Sequence, residues 1–199
     1  MRLPRVYPIV DSAAWVRRLA PLGVRLLQLR IKNQAAPWVA EQIAAASSLC
    51  RAAGIQLVVN DYWQEALQLR CDFVHLGQED LAAADLPALR RAGVRLGVST
   101  HDEAELERAL SVQPDYVALG PVYPTTLKVM PWKPQGLARV GEWKHRLGML
   151  PLVAIGGITL ARLPEVFAAG ADVAAVVSDI VTAASPEDQT QRWLAAAAA

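Results

Sequence analysis

The chain has 199 residues, of which 53% are hydrophobic and 20% are charged, and its formal net charge is +1. This length is sufficient for one sizeable hydrophobic core, and the near-zero charge argues against nucleic-acid binding driven by counterion release and against attachment to anionic lipid. No apolar run reaches the roughly 18 residues that a membrane-spanning helix requires. The N-terminal segment lacks the long apolar core of a signal peptide, so a cytoplasmic location is expected.

Short apolar runs alternate with helical patterns along the whole sequence. The helical stretches include residues 36–54 and 103–113, and several helical patterns end at a glycine, which is typical of a helix C-terminal cap. The candidate strands are, in chain order, RVYPIV (5–10), LLQLRI (26–31), QLVVN (56–60), FVHLG (73–77), RLGVS (95–99), YVALG (116–120), LVAIGG (152–157) and VAAVVS (173–178).

Near-continuous apolar strands are typical of a parallel sheet that is buried on both faces. Eight strand–helix units in about 200 residues predict a single (β/α)8 TIM barrel with short loops. A doubly wound open sheet is the alternative, although it usually has fewer strands. No linker, charge block or change of composition divides the chain, so residues 1–199 are interpreted as one domain. The alanine-rich tail after Leu194 is expected to complete or fray the last helix.

The segment LLQLRIK (26–32) combines an apolar strand with an amide and two cations. Gln28, Arg30 and Lys32 occupy alternate positions, and alternate side chains of a strand point to the same face. On its own this pattern favours a solvated face. In a barrel, however, the polar face points inward toward the C-terminal ends of the strands, where active sites of this fold lie.

Polar residues also end most of the other predicted strands, and in a barrel all these ends meet at one mouth. Mg²⁺ is held by one or two carboxylates together with substrate phosphate oxygens, while arginine and lysine bind phosphate. Glycines such as those of AIGG leave backbone N–H groups open, as in the phosphate cradle after strands 7 and 8 of many barrels. The residues at these strand ends therefore predict a Mg²⁺–diphosphate site near strands 2 to 4 and a second phosphate site near strands 7 and 8. The residues at these ends are Asn60, Asp61, Asp80, Ser99, Thr125, Lys128, Gly157, Val177 and Ser178.

Each of these signals also has a plain structural interpretation. AIGG alone indicates only a tight turn, and Asp80 fits a helix cap. His75 lies in mid-strand and is expected to be a satisfied interior histidine rather than a ligand. Cys50 and Cys71 have neither metal nor redox spacing and are expected to be interior thiols. No Ser–His or Cys–His constellation for nucleophilic catalysis is evident, and the coincidence of polar residues at successive strand ends is what favours a site.

The sequence resembles the thiamine phosphate synthase family over essentially the whole chain. The matching segments are QLRIK, VND, HLGQED, LGVSTH, LGPVYPTTLK, PQG, VAIGGI and VVS, all in order. The resemblance implies a (β/α)8 barrel that joins hydroxymethylpyrimidine diphosphate to thiazole phosphate, 4-methyl-5-(2-phosphoethyl)thiazole, with Mg²⁺ as cofactor. The products would be thiamine phosphate and diphosphate. The implied partners are small-molecule substrates, with no nucleic acid and no membrane, and a homo-oligomer is left open.

The resemblance also implies a role for each matching residue. The family reaction is a dissociative substitution in which the carbon–oxygen bond to diphosphate breaks before the thiazole nitrogen attacks, so the protein supplies no nucleophile. Gln28 would contact the pyrimidine, and Asp61 and Asp80 would bind Mg²⁺. The diphosphate would be held by Arg30, Lys32, Asn60, Ser99 and Lys128, of which all but Asn60 are expected to be catalytic, and the thiazole phosphate site would be lined by Thr125, Gly157, Val177 and Ser178.

Three positions depart from the family pattern. Leu127 stands where a hydroxyl is usual, Asp179 follows the last strand's serine where a small apolar residue is usual, and Tyr62 replaces a second aspartate. Two alternatives stay open: a related, tautomerase-like barrel that binds thiazole phosphate, and a catalytically inactive ligand-binding relative. Only Leu127 and Asp179 favour the inactive relative. The long loop 124–135 is the predicted lid over the substrates.

Overall fold

A computed structural model of the chain describes residues 3–125 and 133–198. Within these residues, eight parallel strands close into a barrel in sequence order, with the last strand hydrogen-bonded to the first. The predicted (β/α)8 barrel is therefore confirmed, and the open doubly wound sheet is wrong. The strands are β1 Val6–Val10, β2 Leu26–Leu29, β3 Gln56–Asn60, β4 Phe73–Leu76, β5 Arg95–Thr100, β6 Tyr116–Leu119, β7 Leu152–Ala154 and β8 Val173–Val176.

Helices cover the outside of the barrel and connect its strands. Several begin or end where the sequence supplies a cap: the carboxylate of Asp102 accepts a hydrogen bond of 2.9 Å from the backbone N–H of Glu105, and Gly54 adopts a left-handed φ of +66°, which glycine accommodates without strain. The helices are α1 Ala13–Leu19, α2 Ala36–Ala53, α3 Trp63–Gln68, α4 Gln78–Ala83, α5 Leu86–Arg91, α6 Glu103–Ser111, α7 Gly136–Leu147, α8 Leu163–Ala168, α9 Ser178–Val181 and α10 Pro186–Ala198, with 3₁₀ turns at Ala20–Leu22 and Leu160–Arg162.

The alanine-rich tail completes α10, which continues to Ala198. Poly-alanine has a high helix propensity and needs no side-chain partner to remain helical. None of the helices in the described parts of the chain combines the length and the apolar composition needed to cross a membrane.

Each strand divides its side chains between two cores. On β2, Leu27 and Leu29 pack in the outer core beneath the helices, while Leu26 belongs to the core inside the barrel. Gln28 and Arg30 share the face of Leu26, because alternate residues of a strand point the same way. The polar face of LLQLRIK thus points into the barrel as predicted. The strand itself ends at Leu29, so Arg30 and Lys32 lie in the loop that follows it and not on the strand.

Inside the barrel, the ring of Tyr116 occupies the space above Gly97. A Cβ atom on Gly97 would lie 2.1 Å from Cζ of Tyr116, far inside van der Waals contact. The ring is fully buried and meets Tyr7 and Phe73 edge-on, with ring centroids 6.1 and 5.6 Å apart. A residue without a side chain on β5 therefore allows a tyrosine from β6 to lie across the barrel interior.

We expect Leu29→Ala to lower the free energy of unfolding by about 2–5 kcal/mol, because truncation of a buried leucine loses transfer free energy and leaves a cavity. Leu29 is 1% exposed and faces the helices, so the folded variant should keep normal kinetic constants. The control is Met149→Ala, since Met149 is 97% exposed and surface substitutions usually stay within about 0.5 kcal/mol. Urea denaturation measures both, and equal stabilities of the two variants would contradict the assignment of Leu29 to the outer core.

Candidate active site

Three charged side chains meet at the C-terminal ends of β2, β3 and β4. Nζ of Lys32 forms an ion pair with Oδ2 of Asp61, and the carboxyl group of Asp61 lies within hydrogen-bonding reach of Asp80. Asp61 directly follows β3, while Asp80 lies in the first turn of α4, whose N-cap is Gly77. Asp80 is therefore not the cap of this helix. The structure brings together the lysine and the two aspartates that the sequence predicted for one site.

A turn in the backbone directs Asp61 into the mouth. Asp61 adopts a φ of +66°, in the left-handed region that aspartate and asparagine tolerate better than most residues. Its backbone N–H donates to the carbonyl oxygen of His75 at 2.9 Å, which continues the β3–β4 ladder one residue beyond the strand. The chain then turns into α3. This fixed conformation holds the carboxylate beside Lys32.

The two carboxyl groups form an electrostatically strained pair. The pKa of Asp80 is raised, first by partial burial and then by the negative charge of Asp61, while Lys32 opposes the shift. Facing carboxylates are stabilised by a cation between them. Among the described residues no group of three or more His, Cys, Asp or Glu side chains is arranged to hold a metal. A pair of oxygen ligands fits Mg²⁺, which takes its remaining ligands from substrate phosphate and water.

Arg30 and Asn60 face the same region. Asn60 is 5% exposed and ends β3 on the inner face, and Arg30 lies near enough to His75 for its charge to lower the pKa of that ring. Neither side chain makes a hydrogen bond or ion pair with another part of the described chain. Because buried polar groups normally have partners, these two are available to a ligand.

A chain of buried hydrogen bonds runs through the barrel interior to Ser99. Nε2 of Gln28 donates to the hydroxyl of Tyr7 at 3.0 Å, and this hydroxyl lies 3.0 Å from that of Tyr116. The Tyr116 hydroxyl lies 2.8 Å from Nδ1 of His75, and Nε2 of His75 lies 2.8 Å from Oγ of Ser99. His75 is thus an interior histidine with both ring nitrogens satisfied, as predicted. The sequence did not reveal the Ser99–His75 contact, since the two residues are 24 positions apart on different strands.

We expect His75 to make the free energy of unfolding depend on pH. Burial, the largest cause, lowers the pKa of His75 from 6.5 to about 4. Between these values the unfolded chain binds a proton that the folded chain does not, so stability is lost as the pH falls through this window. The loss approaches about 3 kcal/mol, at about 1.4 kcal/mol per pKa unit. Urea denaturation across this range, without added Mg²⁺, should show a steeper dependence for the unmodified chain than for His75→Gln, whose amide does not titrate. Parallel curves would contradict the prediction.

Close backbone packing builds the opposite side of the mouth. Gly156 and Gly157 have φ values of +97° and +65°, and a Cβ atom on Gly157 would lie 2.5 Å from the carbonyl oxygen of Pro124. The backbone N–H of Tyr123 donates to the carbonyl oxygen of Gly156 at 3.0 Å. The glycines after β7 therefore hold the segment that carries Thr125 against the end of the barrel.

Asp179 is paired with donors of its own chain. Its Oδ2 accepts hydrogen bonds from the backbone N–H of Leu160 at 3.1 Å, Nε2 of Gln189 at 2.8 Å and Nε1 of Trp193 at 2.6 Å. Gln189 and Trp193 lie on α10 and Leu160 begins the 3₁₀ turn after β7, so the carboxylate ties α9 to both. The departure from the family pattern at this position is therefore structural, and it places no unpaired negative charge beside a phosphate.

The remaining predicted residues fall into two groups. Gly157, Val177 and Ser178 lie at the ends of β7 and β8, with Val177 packed against the core inside the barrel. Leu127 and Lys128, with most of the predicted lid, lie outside the described residues, and their assignments stay predictions.

The two cysteines, by contrast, are buried unpaired thiols as expected. They line a cavity of about 230 Å³, and burial raises the pKa of both. Cys71 lies two residues before β4, at the end of the strand that is away from the mouth.

Sequence reasoning missed Tyr7 and Tyr116. Alternation in RVYPIV places Tyr7 on the inner face of β1, which was a usable signal. Its partner on β6 is more than 100 residues away, and nothing local in the sequence joins the two hydroxyls.

Known proteins of similar sequence and fold belong to one family. A sequence model described as thiamine monophosphate synthase matches residues 6–180. The thiamine-phosphate synthase of Rhizobium etli is 60% identical over 198 residues, covering 100% of this chain and 97% of that protein, and that of Cronobacter sakazakii is 52% identical over 189 residues, covering 95% of this chain and 90% of that protein. The solved thiamine phosphate pyrophosphorylase of Pyrococcus furiosus superimposes with a TM-score of 0.86 at 26% identity, covering 98% of this chain and 96% of that one. The chain therefore belongs to the thiamine monophosphate synthase family.

Proposed function

We propose that the mouth of this barrel joins hydroxymethylpyrimidine diphosphate to thiazole phosphate with the help of Mg²⁺ held by Asp61 and Asp80. The observation that carries the proposal is the cluster of Lys32, Asp61 and Asp80 at adjoining strand ends. Opposite charges are concentrated there in the combination that a metal–diphosphate requires. Family membership supports the same transferase chemistry.

The two aspartates would supply carboxylate ligands, and their mutual repulsion favours a cation between them. When bound, Mg²⁺ would act as a Lewis acid on the diphosphate oxygens. Lys32 pairs with Asp61 in the structure, and 47% of its side chain is exposed, so its ammonium group has room to turn toward a diphosphate once the aspartate has another partner.

The cations and donors around this pair would stabilise the leaving diphosphate. Arg30 and Asn60 have no partner in the described chain and face the mouth, and Ser99 stands at the end of β5. Lys128 is assigned by the family resemblance alone. Donors fixed before the reaction stabilise the negative charge that develops as the carbon–oxygen bond breaks, and each is worth about 2.7–4 kcal/mol in comparable sites.

Gln28 would orient the pyrimidine. Its Nε2 is committed to Tyr7, which leaves Oε1 as an acceptor for the amino group on the ring. That amino group helps to spread the positive charge left when the diphosphate departs. On the far side of the mouth, the ends of β6 to β8 would hold the thiazole phosphate in line for attack by its ring nitrogen; the residues proposed there are Thr125, Gly157, Val177 and Ser178.

The test is a coupling assay with both substrates, in Mg²⁺ and in excess chelator. We expect equal amounts of thiamine phosphate and diphosphate, formed only with Mg²⁺. Conversion of the thiazole phosphate to an isomer without coupling would support the tautomerase-like barrel. Binding of both substrates without any product would support the inactive relative. Equal rates in Mg²⁺ and in chelator would refute the role of the metal.

A further inference from the structure

We propose that a buried chain of hydrogen bonds fixes the direction of the Ser99 hydroxyl, so that Ser99 donates its proton to the diphosphate. Gln28, Tyr7, Tyr116 and His75 form this orienting chain and act as positioning residues through Ser99. The proposal rests on the proposed function, because it takes diphosphate as the ligand of Ser99.

The direction of donation along the orienting chain follows from its first member, Gln28. An amide nitrogen only donates, so the oxygen of Tyr7 accepts from Nε2 of Gln28. The proton of Tyr7 then has one polar neighbour among the described residues, the hydroxyl oxygen of Tyr116 at 3.0 Å. The Tyr116 oxygen accepts from Tyr7 and also lies within hydrogen-bonding reach of the Gln28 amide, which acts as a donor there. Among the described residues, the Tyr116 proton is therefore directed to the acceptor left to it, Nδ1 of His75 at 2.8 Å.

The imidazole of His75 sets the direction of the hydrogen bond to Ser99 at the mouth. A neutral imidazole that accepts at Nδ1 carries its proton on Nε2, and Nε2 lies 2.8 Å from Oγ of Ser99. The serine oxygen accepts this bond, and its own proton is left for a ligand. The histidine cannot serve as a base toward Ser99, because the nitrogen that faces the serine already holds a proton.

Burial of its members restricts the orienting chain to this one direction. The exposed fractions of its members are 3% for Gln28, 1% for Tyr7, 0% for Tyr116 and 7% for His75. Such burial makes an unpaired proton costly. The members come from β2, β1, β6 and β4, so the closed barrel holds their positions, and the absence of a side chain at Gly97 provides the space for Tyr116.

The direction has a consequence for binding. In the opposite arrangement Ser99 would donate to His75 and would present only lone pairs to the mouth. A diphosphate offers only acceptors, so that arrangement would repel it. With the orienting chain, the hydroxyl donates to a charged oxygen, which is among the stronger hydrogen bonds in proteins.

The first test reads the tautomer without any ligand. The ¹⁵N chemical shifts of the ring distinguish a protonated nitrogen from an unprotonated one, and the His75 signals are identified by their loss in His75→Gln, since the chain has three histidines. We expect Nε2 to be protonated and Nδ1 to be unprotonated at neutral pH. A proton on Nδ1 would overturn the orienting chain whether or not the enzyme assay succeeds.

The second test is a double-mutant cycle read by calorimetric binding of inorganic diphosphate with Mg²⁺. Tyr7→Phe removes the donor to Tyr116 and should weaken binding by about tenfold, the scale of one hydrogen bond to a charged acceptor. In a Ser99→Ala background the same change should have no further effect, because its only route is the serine hydroxyl. Tyr116→Phe interrupts the chain at the next link and serves if Tyr7→Phe does not fold.

The matched control is Thr100→Val. The hydroxyl of Thr100 is fully buried, donates to the carbonyl oxygen of Ala118 and accepts from Nε1 of Trp143, so its loss destabilises the fold without touching the orienting chain. Diphosphate affinity should be unchanged. An effect of Tyr7→Phe that persists in the Ser99→Ala background would overturn the proposal. If Ser99→Ala alone leaves diphosphate affinity intact, the assignment of Ser99 in the proposed function is wrong, whatever the tautomer.

Discussion

Replacing both carboxylates by amides, in Asp61→Asn combined with Asp80→Asn, is expected to lower kcat/KM by about a thousandfold. Loss of a Lewis acid removes several kcal/mol of transition-state stabilisation, and about 4 kcal/mol corresponds to this factor. Asparagine suits the test because it tolerates the left-handed conformation of Asp61. The change therefore removes charge while leaving the turn after β3 intact.

The same variant should also lose a signal that does not depend on turnover. Mg²⁺ with inorganic diphosphate is expected to raise the melting temperature of the unmodified chain, since a ligand that binds only the folded state stabilises it, and this shift should vanish in the variant. Glu79→Gln is the control, because Glu79 is an exposed neighbour whose charge acts on Asp80 without lying in the pair. Near-normal turnover of the double variant at limiting Mg²⁺ would refute the metal assignment.

The fold could be predicted from the sequence because parallel strands buried on both faces have a strong local signature. QLVVN became β3 with both ends as predicted, Gln56–Asn60. The ends of other strands were less predictable: LVAIGG suggested a strand through residue 157, but β7 ends at Ala154. Positive φ values at Gly156 and Gly157 turn the backbone out of the extended conformation, and the apolar pattern alone does not show where such a turn begins.

The site was predictable in part for the same reason. A parallel barrel gathers its strand ends at one mouth, so residues as distant in sequence as Lys32 and Asp80 could be expected together from topology alone. The hydrogen-bond partners of each side chain could not be predicted from topology. Asp179 looked like an unpaired charge beside a phosphate, yet three donors, two of them in α10, hydrogen-bond its carboxylate. Contacts of that kind depend on how helices pack and not on a local pattern.

The Ser99–His75 contact illustrates how geometry decides chemistry. A serine 2.8 Å from an imidazole nitrogen resembles the nucleophile and base of a hydrolase, where the base must accept the serine proton and a third group must hold the opposite nitrogen as a donor. Here the opposite nitrogen faces the hydroxyl of Tyr116, which has a proton to donate. The pair therefore suits a donor to an anion and not a nucleophile, in agreement with a reaction in which the substrate supplies the attacking nitrogen.

Arg30→Ala is expected to lower kcat by about 100-fold to 1,000-fold while changing the KM for thiazole phosphate little. The guanidinium group faces the mouth from the loop after β2 and has no partner in the described chain. Negative charge on the leaving diphosphate grows in the transition state, so a cation beside it lowers the barrier more than it strengthens substrate binding. Arg30→Lys should recover part of the rate, because lysine restores the charge but not the two-pronged contact.

Arg25→Ala is the matched control for this experiment. Arg25 immediately precedes β2, is exposed and lies at the opposite end of the strand from the mouth, so its loss removes the same charge from the same strand without approaching the substrates. Rapid-quench measurement of diphosphate release in a single turnover would separate bond breaking from product release. The leaving-group role requires Arg30→Ala to slow this step while thiazole phosphate still binds normally. If the variant instead weakens thiazole phosphate binding as much as it slows the release of diphosphate, Arg30 acts on the shape of the whole mouth and not on the charge of the leaving group.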